Sequence, residues 1–229
     1  MKILESRPVC VKGNVKIQFL RIDPEDIGVT LSEIMETIMD LSWLKRFNED
    51  FTINSFKRRA EITIKDIQSK FDSCDNGSLT KDAGEYVVSE LAREAIVNQL
   101  GYLDIPLAEL IGKKTSGNPG FDFHSQNLVS DIVIFGEAKY LSKSSAYSSA
   151  ITQIKEFIDN EKDIADIADL RDFCSANALS NANKGIKGFA AAFSAKRTSS
   201  DNIIKSITNK DDFKKLIKYK EIILVAVNL

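Results

Sequence analysis

The sequence predicts an α/β fold with a mixed central sheet flanked by helices. From Thr80 onward the expected elements run helix, two adjacent strands, helix, strand, helix, strand, the alternation that builds such a sheet. The run Ile222-Ile223-Leu224-Val225-Ala226-Val227 is continuously apolar, as in a strand covered on both faces. Ahead of Thr80, residues 31–71 show helical spacing instead. This predicts an N-terminal strand and helical extension over residues 1–78 and a core over residues 79–229.

Taken in order, Val9 to Arg21 alternates well enough for one or two strands, broken at Gly13-Asn14 and stopped by Asp23-Pro24. Leu31 to Phe47 places Ile34, Ile38, Leu41 and Leu44 on one helical face. A second helix is expected over Phe56 to Phe71, then a turn cluster at Cys74-Asp75-Asn76-Gly77-Ser78. Thr80 is a candidate N-cap for a helix that runs to Leu100 and stops at Gly101. Ile105 to Ile111 fits either state. Gly112 to Gly120 reads as a loop, Phe121 to Ser125 as a short strand and Asp131 to Tyr140 as a longer one. Helices follow over Ser144 to Asn160 and Asp163 to Ala178, then a small-residue strand over Gly188 to Phe193. Short helices over Asn202–Ile207 and Asp211–Tyr219 lead into the last strand, Glu221 to Val227.

Composition narrows the chemistry. The chain has 229 residues, 43% hydrophobic and 28% charged, enough to bury a core without disulfide or zinc. Cys10, Cys74 and Cys174 are scattered, with no CxxC spacing, and read as reduced thiols. His124 is the only histidine, so histidine-rich zinc sites and Ser-His-Asp triads are poorly supplied. No signal peptide or membrane span is expected, and the expected location is cytoplasmic. The net charge is −2, yet Lys184 to Lys220 holds ten Lys/Arg against three Asp, a local +7. Such a segment suits either a phosphate backbone or a plain solvated surface.

Chemistry concentrates in Gly120-Phe121-Asp122-Phe123 and in Ile132-Val133-Ile134-Phe135-Gly136-Glu137-Ala138-Lys139-Tyr140. On a strand, Glu137 and Lys139 share a face with Cα atoms about 6.6 Å apart. A hairpin would bring Asp122 beside Glu137. An isolated ExK triplet is ordinarily a strand-end salt bridge. Here the charges follow a strongly apolar strand, where they are costly unless used or paired. Two carboxylates can hold Mg²⁺ with its remaining waters. A bound metal activates water, and a lysine orients that water or offsets developing negative charge. Asp131 lies on the Glu137 strand but about 20 Å away along it, so it is no rival to Asp122. By alternation His124 is expected to face with Asp122, and Phe121 with Phe123 in the core. Lys113 and Lys114 are loop lysines within reach of a phosphate.

Pro119, Asp122 and Glu137-Ala138-Lys139 resemble the signature of the PD-(D/E)xK nuclease superfamily, which includes many restriction endonucleases and recombination nucleases. The sequence departs from it in that Gly120-Phe121 separates Pro119 from Asp122. The resemblance implies a restriction-endonuclease-like core, DNA as substrate and Mg²⁺ or Mn²⁺ as cofactor. It implies Asp122 and Glu137 as metal ligands, assisted by the Ala138 carbonyl, with Lys139 positioning the attacking water. A further acid on the first core helix is expected; Glu90 is preferred over Glu94. Gln153 and Phe157 resemble the Gln-x-x-x-Tyr element of the recombination-nuclease branch, which makes Gln153 a candidate contact; Lys155 reads as a surface lysine. The Gly185–Phe193 segment and the terminal strand give a layout similar to the nuclease subunit of the Hachiman anti-phage defence system, which implies a helicase or ATPase partner. Two other functions fit the same residues: an inactive binding subunit, and a stand-alone restriction endonuclease.

Overall fold

The computed structural model describes residues 1–74, 78–112, 120–195 and 198–229. The chain is α/β, built on one six-stranded mixed sheet in the order β1-β2-β6-β5-β4-β3. The strands are β1 (Lys2–Pro8), β2 (Lys16–Asp23), β3 (Phe123–Asn127), β4 (Ile132–Lys139), β5 (Gly188–Ser194) and β6 (Glu221–Val227). β2, β6, β5 and β4 run parallel, and β1 and β3 pair antiparallel at the two edges.

Helices cover both faces, since parallel strands need crossovers and those crossovers bury the sheet. On one face lie α1 (Ile27–Met39), α2 (Asp50–Asp72) and α3 (Lys81–Leu100). Their Ile34, Ile38, Ala60, Ile67, Val88 and Leu91 pack on Leu20, Ile22, Ile134, Ala138 and Ile223. On the other lie α5 (Tyr147–Asp159), α6 (Lys162–Asp166), α7 (Ala176–Asn183), α8 (Ser200–Thr208) and α9 (Asp211–Leu216). There Ile151, Ile154, Ile203 and Phe213 meet Val133, Phe135, Phe189 and Leu224. The short α4 (Ala108–Ile111) precedes β3. Among the described residues no helix is long and apolar enough to cross a membrane.

The expected boundary near residues 72–79 does not divide this sheet. β2 lies within it, with Phe19, Leu20 and Ile22 fully buried, so residues 1–78 include core as well as helices. The first hairpin turns at Gly13, whose φ of 132° suits glycine. The helix expected over residues 31–47 instead ends at Met39, and a 3₁₀ turn follows over Ser42–Arg46. The helix expected over residues 163–178 is two pieces, because Ser175 caps α7 by accepting from the Ala178 N–H at 3.1 Å. Thr80 caps α3 as expected, and Gly101 ends it in a left-handed conformation with φ of 67°.

Candidate active site

Asp122 sits one residue before β3. Its backbone N–H donates to the Gly136 carbonyl at 2.8 Å, and its carbonyl accepts from the Ala108 N–H at 3.0 Å. Phe123 pairs directly with Gly136. A Cβ on Gly136 would lie 2.3 Å from the Phe123 ring, so glycine is what lets the hairpin close here. Asp122 Oδ2 then accepts from the Ala138 N–H at 2.7 Å. The carboxylate is thereby pinned against the strand between Glu137 and Lys139.

Glu137 is 1% exposed. Its Oε1 meets Lys139 Nζ at 2.6 Å, while Oε2 is buried with no partner among the described residues. A second acid reaches the same lysine from α3: Glu85 Oε1 lies 3.9 Å from Lys139 Nζ and is also buried without a hydrogen bond. Both buried carboxylate oxygens lacking a partner among the described residues thus belong to this one cluster. Buried polar atoms ordinarily find partners, and a bare buried carboxylate oxygen calls for one, a water or an ion.

The electrostatics agree. Burial is the main force lifting the Asp122 carboxyl to about 6; Glu85 and Glu109 add to it, and Lys139 and the Ala138 N–H oppose it. Burial pushes Glu137 well above the usual carboxylate range, and Asp122 adds repulsion. Burial works against the Lys139 ammonium, but Glu137 and Asp122 outweigh it and hold its pKa above the ordinary lysine value. Two acids are kept reluctant to ionise beside a firmly charged lysine, the kind of perturbed set that collects at functional sites.

Among the described residues no three His, Cys, Asp or Glu side chains converge as a ready-made metal cage. Mg²⁺ does not require one, since it keeps several waters and takes one or two protein carboxylates. Asp122, Glu137 with its orphaned Oε2, and the Ala138 carbonyl fit that demand. In a strand a residue's N–H and C=O point to the same side. The Ala138 carbonyl therefore points to the edge from which Asp122 reaches the Ala138 N–H. Beside them opens a cleft of about 540 Å³, counted out to solvent, lined by Lys70, Asp82, Glu85, Tyr86, Ser89, Leu107, Glu109 and Asp122.

Other expected site residues are placed elsewhere. Glu90 is buried against Arg93, whose Nε donates to Oε2 at 2.9 Å and whose Nη2 bonds Oε1. Both oxygens are used, and Glu90 borders a separate groove with Asp104 and Trp43. Glu94 is exposed, its Oε1 3.5 Å from the Asn98 amide. The α3 acid at the cluster is Glu85, which the sequence reading missed. The signal for it is Gly84: a Cβ there would come within 2.2 Å of the Tyr140 ring, so glycine lets α3 press onto the strand end and carry Glu85 to Lys139. Gln153 is half-buried on α5 with its amide 3.4 Å from Glu156 Oε2.

His124 is buried and faces Phe135, with Nε2 3.3 Å from Asp166 Oδ2, which serves packing. Phe121 and Phe123 lie in the cores on opposite faces, because strand alternation starts only at Phe123. Asp131 lies in the turn just before β4 and accepts from the Gln126 amide at 3.0 Å, away from Glu137. Lys155 pairs with Asp159 on the surface. Lys113, Lys114 and Pro119 lie outside the described residues. Comparison with protein-family models, curated proteins and solved structures gives no match.

Proposed function

We propose that this chain is a metal-dependent nuclease that hydrolyses phosphodiester bonds of DNA. The observation that carries the reading is the pair of orphaned carboxylate oxygens, Glu137 Oε2 and Glu85 Oε1, gathered with Asp122 around Lys139 at the rim of an open cleft.

Asp122 and Glu137, with the Ala138 carbonyl, would hold Mg²⁺ or Mn²⁺. Bound there, the ion supplies Lewis acidity to a phosphate oxygen and lowers the pKa of a water. Lys139 positions the attacking water and offsets negative charge growing on the phosphate. The Ala138 N–H fixes Asp122, which removes one rotational freedom from the site. Burial of Glu137 lowers the local dielectric and strengthens its interactions with Lys139 and a bound ion.

A helicase partner in anti-phage defence fits this reading. With a net charge of −2, the chain grips a polyanion weakly by itself, and a translocating partner would deliver the strand.

The test is incubation of the purified chain with plasmid DNA and Mg²⁺ or Mn²⁺, beside Lys139→Ala. Metal-dependent nicking that Lys139→Ala reduces by about 100-fold or more is expected. A folded chain that leaves the plasmid intact with every divalent metal, yet binds a partner stably, would replace the nuclease with a binding subunit. Discrete fragments would instead indicate a stand-alone restriction endonuclease.

A further inference from the structure

The cleft beside Asp122 carries a charge problem. Four of its lining residues are acids, Asp82, Glu85, Glu109 and Asp122, and a nucleic-acid strand is a polyanion. A phosphate entering here needs a cation beyond the one bound at Asp122 and Glu137. Among the described residues that line the cleft, Lys70 is the cation.

Lys70 comes from the last turn of α2, within the segment expected to be an extension. Its ammonium is held over the Tyr86 ring, 4.9 Å from the centroid, and lies 3.4 Å from the Tyr86 hydroxyl. Tyr86 is itself fixed by donating its hydroxyl hydrogen to Glu109 across the cleft. The side chain of Lys70 is 27% exposed, so the ammonium is partly desolvated and still reachable. Its present anionic partner is Asp66 at 2.5 Å, an i,i+4 pair with 56% of the Asp66 side chain exposed. Such pairs are weak, and exchange with a phosphate oxygen costs little.

We propose that Lys70 contacts a backbone phosphate next to the scissile one, with Tyr86 as the positioning residue that holds the ammonium over the cleft. This rests on the nuclease reading and deepens it. It makes α2 one wall of the substrate channel.

The experiment measures binding of a fluorescent DNA oligonucleotide by anisotropy across a salt series, in a Glu137→Gln background that prevents turnover, and KM and kcat in the otherwise unaltered chain. Lys70→Gln should weaken binding several-fold and lower the slope of log K against log salt by about 1. It should raise KM and leave kcat within about twofold, the mark of lost uniform binding. Tyr86→Phe should raise KM with the salt slope intact, since the charge remains but its placement is loosened. Lys57→Gln, an exposed lysine of the same helix outside the cleft, is the charge-matched control. If Lys70→Gln matches Lys57→Gln in slope and KM, the Lys70 assignment is overturned while the nuclease stands. If the unaltered chain neither binds nor cuts DNA, both readings fall together.

Discussion

Glu221 and Glu137 are buried glutamates on one sheet, each 1% exposed, and they are treated in opposite ways. Glu221 opens β6 at the far end of the sheet. Its Oε1 takes Lys16 Nζ at 2.9 Å and the Tyr102 hydroxyl; its Oε2 takes the Asn127 amide at 3.0 Å. Asn127 and Lys16 also bond the Tyr102 oxygen, at 2.8 and 2.9 Å, so the network closes on itself. Glu137 is buried as deeply, yet among the described residues one of its oxygens has no partner, and Asp122 adds repulsion beside the Lys139 pair. Burial costs both a desolvation penalty; at Glu221 bonds to both oxygens offset it, and at Glu137 Lys139 satisfies only Oε1. The same fold satisfies one buried glutamate fully and leaves an oxygen of the other without a partner among the described residues, as the proposed metal site requires. Strain of this kind is characteristic of sites kept for function at some expense of stability.

The largest expected effect breaks the comparison into its two halves. Glu137→Gln should abolish metal-dependent cleavage by at least about 100-fold. It should also raise the melting temperature, by about 2–4 °C per kcal/mol of relieved strain. Glu221→Gln should do the reverse: cleavage within about twofold, and a loss of about 1.5–3 kcal/mol as charged hydrogen bonds are weakened. Calorimetry and plasmid nicking on the two variants read both. A Glu137→Gln chain that melts lower and still cuts would show that its buried charge is structural after all.

The pH dependence sharpens the same contrast. An acid whose folded pKa lies above its unfolded value binds more protons when folded. Its stabilising contribution is therefore present at low pH and lost as pH climbs through the folded pKa. Asp122, at about 6, and Glu137, pushed well above the usual carboxylate range by burial, should make the chain less stable from about pH 4 upward, relative to a Glu137→Gln control. Activity should move oppositely, because only the ionised carboxylates hold a cation. kcat/KM should rise with pH through the Asp122 value of about 6, more steeply than tenfold per unit while both acids are still protonated, and flatten once both are ionised. A flat profile from pH 5 to 8 would remove Asp122 and Glu137 from the chemistry.

A smaller effect separates two acids on α3. Glu85→Gln should reduce cleavage about tenfold, with a comparable loss of metal affinity by titration. Glu90→Gln should leave cleavage intact and destabilise by about 1–3 kcal/mol, because Arg93 is buried beside it. Equal activity losses in both variants would show that helix geometry, and not Glu85, is what matters.

The difference between these acids shows what the sequence could convey. Asp122, Glu137 and Lys139 were legible because strand alternation and one hairpin fix their relation. Glu85 was not, because α3 is buried over most of its circumference, with Ala83, Val87, Val88, Leu91, Ala92, Ala95 and Ile96 all inside. With Ser89, Glu90 and Arg93 buried among these apolar residues, the helix has no clean polar stripe to say which acid faces the site. β1 was missed for a related reason. Its burial alternates regularly, but Glu5 and Arg7 take the half-buried side while Leu4 is exposed, so apolar residues do not mark the period of two. The α/β class itself was legible, since the apolar runs of β4 and β6 permit little else.

The smallest expected effect concerns Gln153, which the resemblance to recombination nucleases places at the site. Its amide makes one long hydrogen bond, 3.4 Å, along its own helix. Gln153→Ala should therefore change cleavage by less than about twofold and stability by no more than about 0.5 kcal/mol. Phe157, four residues on, has a clearer part. Its ring meets Phe121 edge-on at 5.3 Å, and Phe121 is the residue before Asp122. The α5 helix thus supports the site through packing beneath the Asp122 strand, and not through the polar residue on its half-buried side. A strong loss of cleavage in Gln153→Ala, with melting unchanged, would reverse that assignment and put the amide in contact with DNA or the ion.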